Sequence, residues 1–133
     1  MAKWFTKTHQ WFDDETHEVG ITPYAAEQLG EISFVDLDAL DGATLEQVKM
    51  EGDEPGSDPI DATVESSKAV GDIYSPVSGS VSAINSDLMD EPEKINEDAF
   101  NAWLFKIEPS NWDAEKANLL SKADYDSFIA SLG

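Results

Sequence analysis

The sequence predicts a mainly β protein, a sandwich or flattened barrel with one short helix in its N-terminal half and two short helices at its C-terminal end. Two observations carry this expectation. Six short β-branched or aromatic runs recur along the chain, and the segments between them are turn compositions rich in Gly, Pro, Asp, Asn and Ser. Helix signals are confined to two places. At 133 residues the chain is expected to form one domain over its whole length, 1–133. Four Trp, three Tyr and six Phe within a 41% hydrophobic composition supply enough apolar area for a core, so the high charge does not signal disorder.

In chain order, the first element is a helix of about two turns: Thr22 is a capping residue, Pro23 suits the first helical position, YAAEQL follows, and Gly30 ends it. The strand runs are ISFVDL (32–37), ATLEQVKM (43–50), PIDATVES (59–66), AVGDIYSPV (69–77), GSVSAIN (79–85) and AWLFKIEP (102–109). DG, EGDEPGSD, SPVSG and NSDLMDEPEK read as the connecting turns and loops. In the tail, Ser110 with Asp113 and Ser121 with Asp124 are capping-box-like starts. Tyr125, Phe128, Ile129 and Leu132 then fall at i, i+3, i+4 and i+7, so two helices are expected within 111–132.

Eight lysines, no arginine and twenty-eight Asp plus Glu give a formal net charge of −20. Phosphate backbones and anionic membrane surfaces need clustered basic residues, so neither nucleic acid nor a membrane is an expected partner. Such a charge suits a cell interior of high ionic strength, where self-repulsion is screened, or docking on basic partners. There is no cysteine, hence no disulfide or thiolate chemistry. The segment MAKWFTKTHQWF lacks the apolar stretch of a signal peptide and the Arg/Ser richness of a transit peptide. A cytoplasmic location is therefore expected before a processed mitochondrial matrix one.

Recognisable catalytic patterns are missing. Carboxylates are too numerous for any pair to mark an acid–base site, and read as a solvated face. DLDALDG (36–42) fails as a calcium loop: the sixth position is Asp41 where glycine is needed, and the twelfth is Gln47 rather than Glu. His9 and His17 have no second metal-binding pair, and SPVSG lacks the spacing of a nucleophile elbow. Trp11, Trp103 and Trp112 read as core or interface aromatics. No enzyme activity is expected of the chain alone.

One scarce residue stands out. Lys68 lies in TVESSKAVGD (63–72), where two β runs meet, so a tight hairpin within about 59–85 would present its amine at the tip, with Val64 and Val70 anchoring the strands. Gly52 precedes it by sixteen residues and Gly79 follows by eleven.

This segment resembles the lipoyl-attachment hairpin of lipoyl and biotinyl carrier domains, in which glycines at such offsets mark related turns. Glu65 looks like the acidic residue by which lipoylating enzymes recognise their target, and Ser67 and Ala69 stand where biotinyl carriers favour Met. THQW, GIT, LGEISFVDL, ESSKAVGDIYSPVSGSV, IN and WLFKIEP, in that order over nearly the whole chain, are similar to the H-protein family of the glycine cleavage system. The resemblance implies a lipoyl-type sandwich of two sheets with added helices, and a monomeric carrier with lipoic acid amide-linked to Lys68. Such a carrier takes an aminomethyl group from the pyridoxal-phosphate-bearing glycine decarboxylase and delivers it to an aminomethyltransferase. It is reoxidised by dihydrolipoamide dehydrogenase. It also implies a cleft in which the loaded arm folds back, at Thr8, Gln10 and Asp72; many members have Glu where this chain has Gln10. Two other readings stay open at this point, a donor relaying lipoate to other lipoyl enzymes and an unmodified acidic binding module.

Overall fold

The computed structural model describes residues 3–132. Three strands that local propensity does not announce come first: β1 (Lys3–Phe5), β2 (Gln10–Asp13) and β3 (Glu18–Ile21). Helix α1 (Pro23–Leu29) follows as expected, with the Thr22 side chain accepting from the Ala25 N–H and Gly30 beyond its end at φ 87°. Then come β4 (Ile32–Asp36), a 3-10 turn at Asp38–Leu40, β5 (Thr44–Leu45), and a small ribbon of β6 (Met50–Glu51) and β7 (Glu54–Pro55). The second half holds β8 (Thr63–Ser66), β9 (Val70–Gly71), β10 (Gly79–Ile84), α2 (Asp87–Asp90), α3 (Lys94–Glu97) and β11 (Phe105–Pro109). It ends with α4 (Trp112–Glu115), a 3-10 turn at Lys116–Asn118, and α5 (Lys122–Leu132).

A six-stranded sheet runs β1-β2-β3-β11-β10-β5 and a three-stranded sheet runs β4-β8-β9, with every pairing antiparallel. Phe12, Val19, Val81, Phe105 and Ile107 of the first sheet and Ile32, Val35 and Val64 of the second join in one buried cluster, which makes the pair a sandwich. Successive side chains of a strand point to opposite faces. Phe12 therefore enters this core while Trp11 points the other way, into a second cluster with Phe5 and Tyr125 under α5. All four residues of β2 are buried as a result. Trp11 lies across Gly20, where an added Cβ would stand 2.6 Å from its ring, and its indole N–H donates to the carbonyls of Ile21 and Ala99.

The expected run 69–77 is strand only at Val70 and Gly71. Residues 73–77 are buried but irregular, because Pro76 cannot donate to a ladder and the Ser75 hydroxyl bonds locally to the Val77 carbonyl. Residues 59–62 likewise stay outside the strands. The stretch NSDLMDEPEK, expected as loop, contains all of α2 and the start of α3, which send Leu88 and Ile95 into the main core. Among the described residues, no helix is long and apolar enough to cross a membrane.

Candidate functional site

β8 and β9 form the hairpin that carries Lys68. Val64 pairs with Gly71 and Glu65 with Val70, and the turn at residues 66–69 is closed by the Ser66 N–H donating to the Ala69 carbonyl at 2.9 Å. Ser66 also builds the turn from within. Its buried hydroxyl accepts from the N–H groups of Lys68 (3.3 Å) and Ala69 (3.2 Å) and donates to the Leu29 carbonyl at the end of α1 (2.6 Å). A serine side chain replacing a backbone acceptor in this way is a known turn-forming device. The effect is to lock the hairpin tip onto α1.

Lys68 is exposed and makes no ion pair among the described residues. Its stem lies over Gly30: a Cβ at that position would stand 2.8 Å from the Lys68 Cε. The platform beneath is held by Asn96 of α3, which donates to the Gly30 carbonyl and accepts from the Ile32 N–H, both at 2.8 Å. Leu29 completes it by packing on Gly71. The amine at the tip was legible in the sequence. The parts played around it by Ser66, Gly30 and Asn96 were not, although a serine two residues before the lysine is a turn signal in retrospect.

Other expected positions fall elsewhere. Val64 is fully buried and anchors β8, whereas Val70 is 63% exposed and anchors nothing in the core. Gly52 occupies the left-handed region (φ 68°) in the turn between β6 and β7, whose Asp53 pairs with Lys7. Gly79 lies against the neighbouring strand, not beside Lys68. Glu65 and Ala69 flank the turn as expected, each half-buried.

Thr8 and Gln10 share the β1–β2 turn. Gln10 is 1% exposed; its side-chain oxygen accepts from the hydroxyls of Thr6 and Thr8, and its amide donates to the Thr8 carbonyl at 2.9 Å. Asp72 is exposed just after β9, and together with burial and Asp58 it raises the Tyr74 hydroxyl above its ordinary pKa, burial being the larger cause. No hydrogen bond or ion pair joins Asp72 to Thr8 or Gln10 among the described residues.

The same turn holds His9 in the left-handed region (φ 72°), where a three-residue hairpin loop needs such a residue. Its Nδ1 lies 2.8 Å from the Tyr125 hydroxyl, which is 2.7 Å from the hydroxyl of the α1 cap Thr22. Burial lowers the His9 pKa and pushes Tyr125 up to about 12, so a neutral imidazole beside a neutral phenol is the favoured state, the donor between them being set by the imidazole tautomer. With the folded pKa below the unfolded one, the unfolded chain binds more protons as pH falls below about 6.5, and this contribution to stability is lost on acidification. His9→Asn tolerates the same backbone. The difference in melting temperature between wild type and His9→Asn is therefore expected to shrink from pH 7.5 to pH 5.5. A constant difference would mean that His9 is not held neutral.

Against this geometry, the family described as Glycine cleavage H-protein matches residues 3–131. The chain is 40% identical to a probable glycine cleavage system H protein of Pyrococcus abyssi over 97% of its length and 90% of that protein. It is 43% identical to a glycine cleavage system H protein of Nitrosospira multiformis, covering 96% of this chain and 92% of that one. A crystal structure of a glycine cleavage system H protein from Mycobacterium marinum superposes with a TM-score of 0.76 at 27% identity, covering 97% of both chains.

Proposed function

The chain belongs to the glycine cleavage H-protein family, a family of carrier subunits rather than enzymes, and from that premise we propose that it carries a lipoyl group on Lys68 in the service of glycine cleavage. The observation that carries the reading is the lysine itself: exposed, without an ion pair among the described residues, at the tip of a hairpin whose neighbour Gly30 leaves room for its stem. A side chain at Gly30 would fill that space. The lipoyl group, when attached, supplies a disulfide that takes up the aminomethyl unit of glycine and hands it on.

What the chain supplies is placement. The Ser66 hydroxyl fixes the turn by accepting from the Lys68 and Ala69 N–H groups and ties it to α1 by donating to the Leu29 carbonyl, and the platform of Leu29, Gly30 and Asn96 keeps the hairpin from swinging as a whole. Motion is then left to the side chain beyond Lys68, and a tethered group of that kind is held near its partner enzymes at high effective concentration. Acylation also removes the Lys68 charge, so the arm is no longer drawn to a surface of net charge −20. The partners in this reading are glycine decarboxylase, aminomethyltransferase, dihydrolipoamide dehydrogenase and the lipoylating enzymes, served by a cytoplasmic, monomeric, single-domain carrier. The family resemblance also implies a cleft for the loaded arm at Thr8, Gln10 and Asp72; with Gln10 only 1% exposed, Thr8 and the exposed Asp72 are the members of that set open to the arm.

The test is the mass of protein purified from its own source, followed by peptide mapping. A lipoyl adduct on Lys68 is expected. Protein that supports glycine cleavage without any adduct, or with the adduct on another lysine, overturns the reading.

A further inference from the structure

We propose that Phe34 and Val70, on either side of Glu65, form the surface on which the enzyme that acylates Lys68 docks. The inference rests on Lys68 being the attachment site. Phe34 is 51% exposed and Val70 63% exposed; with Leu132 at the far end of α5 they are the exposed large apolar residues among those described.

Their arrangement is a row, not a scatter. Phe34 of β4 pairs directly with Glu65 of β8, and Glu65 pairs directly with Val70 of β9. Directly paired residues of adjacent strands present their side chains on the same face of a sheet. Phe34, Glu65 and Val70 therefore stand side by side on the outer face of the three-stranded sheet, immediately below the turn that carries Lys68. A bulge in β4 puts Phe34 there. The register shifts between Ile32 and Phe34, and the burial runs Ile32 in, Ser33 and Phe34 out, Val35 in. Without the extra residue, Phe34 would follow Ile32 into the core. Bulges commonly re-aim a side chain in this way beside functional sites.

The partner is identified by reach and by charge. Before modification the reacting group is only one lysine side chain from the turn, so the acylating enzyme must bring its catalytic centre against the hairpin. Enzymes acting on the far end of a finished arm are under no such requirement to contact the hairpin itself. Glu65 makes no ion pair among the described residues, so the complementary surface is an apolar recess bearing a basic residue. In that enzyme the carboxyl of lipoate is joined to AMP from ATP with release of pyrophosphate. The Lys68 amine then displaces AMP, forms the amide and loses a proton.

The experiment uses unmodified full-length protein, a purified lipoate–protein ligase active on a control lipoyl domain, ATP and lipoate. Phe34→Ser and Val70→Ser are each expected to lower kcat/KM for the carrier about tenfold, chiefly through KM, as for an apolar contact at the centre of an interface. Leu132→Ser should leave the rate unchanged, and melting temperatures should stay near wild type. After prolonged reaction to full acylation, both variants should turn over with glycine decarboxylase like wild type. Wild-type rates of acylation in both variants overturn the docking surface and leave the carrier standing. Normal acylation with slow turnover by glycine decarboxylase also overturns it, assigning the patch to that enzyme. A wild type that is never acylated at Lys68 overturns the carrier reading and the surface with it.

Discussion

Lys68→Arg is expected to abolish carrier activity while leaving the fold unchanged. The substitution keeps length and charge, but a guanidinium stays protonated at any accessible pH and offers no nucleophilic amine for acylation. Because the side chain is exposed and has no ion pair among the described residues, the melting temperature should move by less than about 2 °C. The measurements are glycine-dependent CO2 release with the partner enzymes, and peptide mass mapping of the product. Lys49 and Lys94 are also exposed, and Arg in place of either should leave both readouts at wild-type values. Full activity in Lys68→Arg, or a lipoyl adduct on Lys49 or Lys94, would reject Lys68 as the attachment site.

Gly79→Ala is expected to cost more stability than the same change at any other glycine among the described residues. A Cβ at Gly79 would stand 1.9 Å from the Glu108 carbonyl oxygen, 2.8 Å from its carbonyl carbon and 3.2 Å from the Pro109 Cα. All three are backbone atoms of β11, so relief requires β10 and β11 to separate where Gly79 pairs with both Pro109 and Leu45. Overpacking of a rigid site costs about 3 kcal/mol or more, roughly a 10 °C fall in melting temperature for a chain of this size. Gly42→Ala is the control. It has a left-handed backbone (φ 75°) but nothing within 4 Å of the added methyl, so it should cost only about 1 kcal/mol for the backbone alone. Equal losses in the two variants would mean that close approach of the strands is not what position 79 requires.

The family resemblance locates Gly79 as a turn glycine, and the structure supplies a different physical reason for it, the close approach of the neighbouring β11 backbone. Gly30 shows the same limit of sequence reading. It was legible as a helix terminator, because a glycine following a capped run is a local signal. Its second role, leaving space for the Lys68 stem, depends on a contact between segments that are far apart in the chain. β2 was illegible for a related reason. Periodicity detects a strand when one face is wet, but QWFD is covered on both faces, by the main core and by the cluster under α5, so no alternation marks it.

By itself the sequence determined the features whose cause lies within a few residues. These are the Thr22 cap and Gly30 stop of α1, the alternating runs that became β4, β8, β10 and β11, the Ser121 cap and apolar stripe of α5, and the turn that raises Lys68 to a tip. Propensity, capping and the period of apolar residues are local quantities, and one chain suffices to read them. Only the tertiary structure decided the rest. It joined His9 to Tyr125 across 116 residues, turned Phe34 outward through a bulge whose register is set by β8, sealed Gln10 among threonines, and set Lys68 on Gly30. Each of these depends on which strand pairs with which, and that pairing is settled by the joint burial of apolar side chains from the whole chain, a term no local window contains.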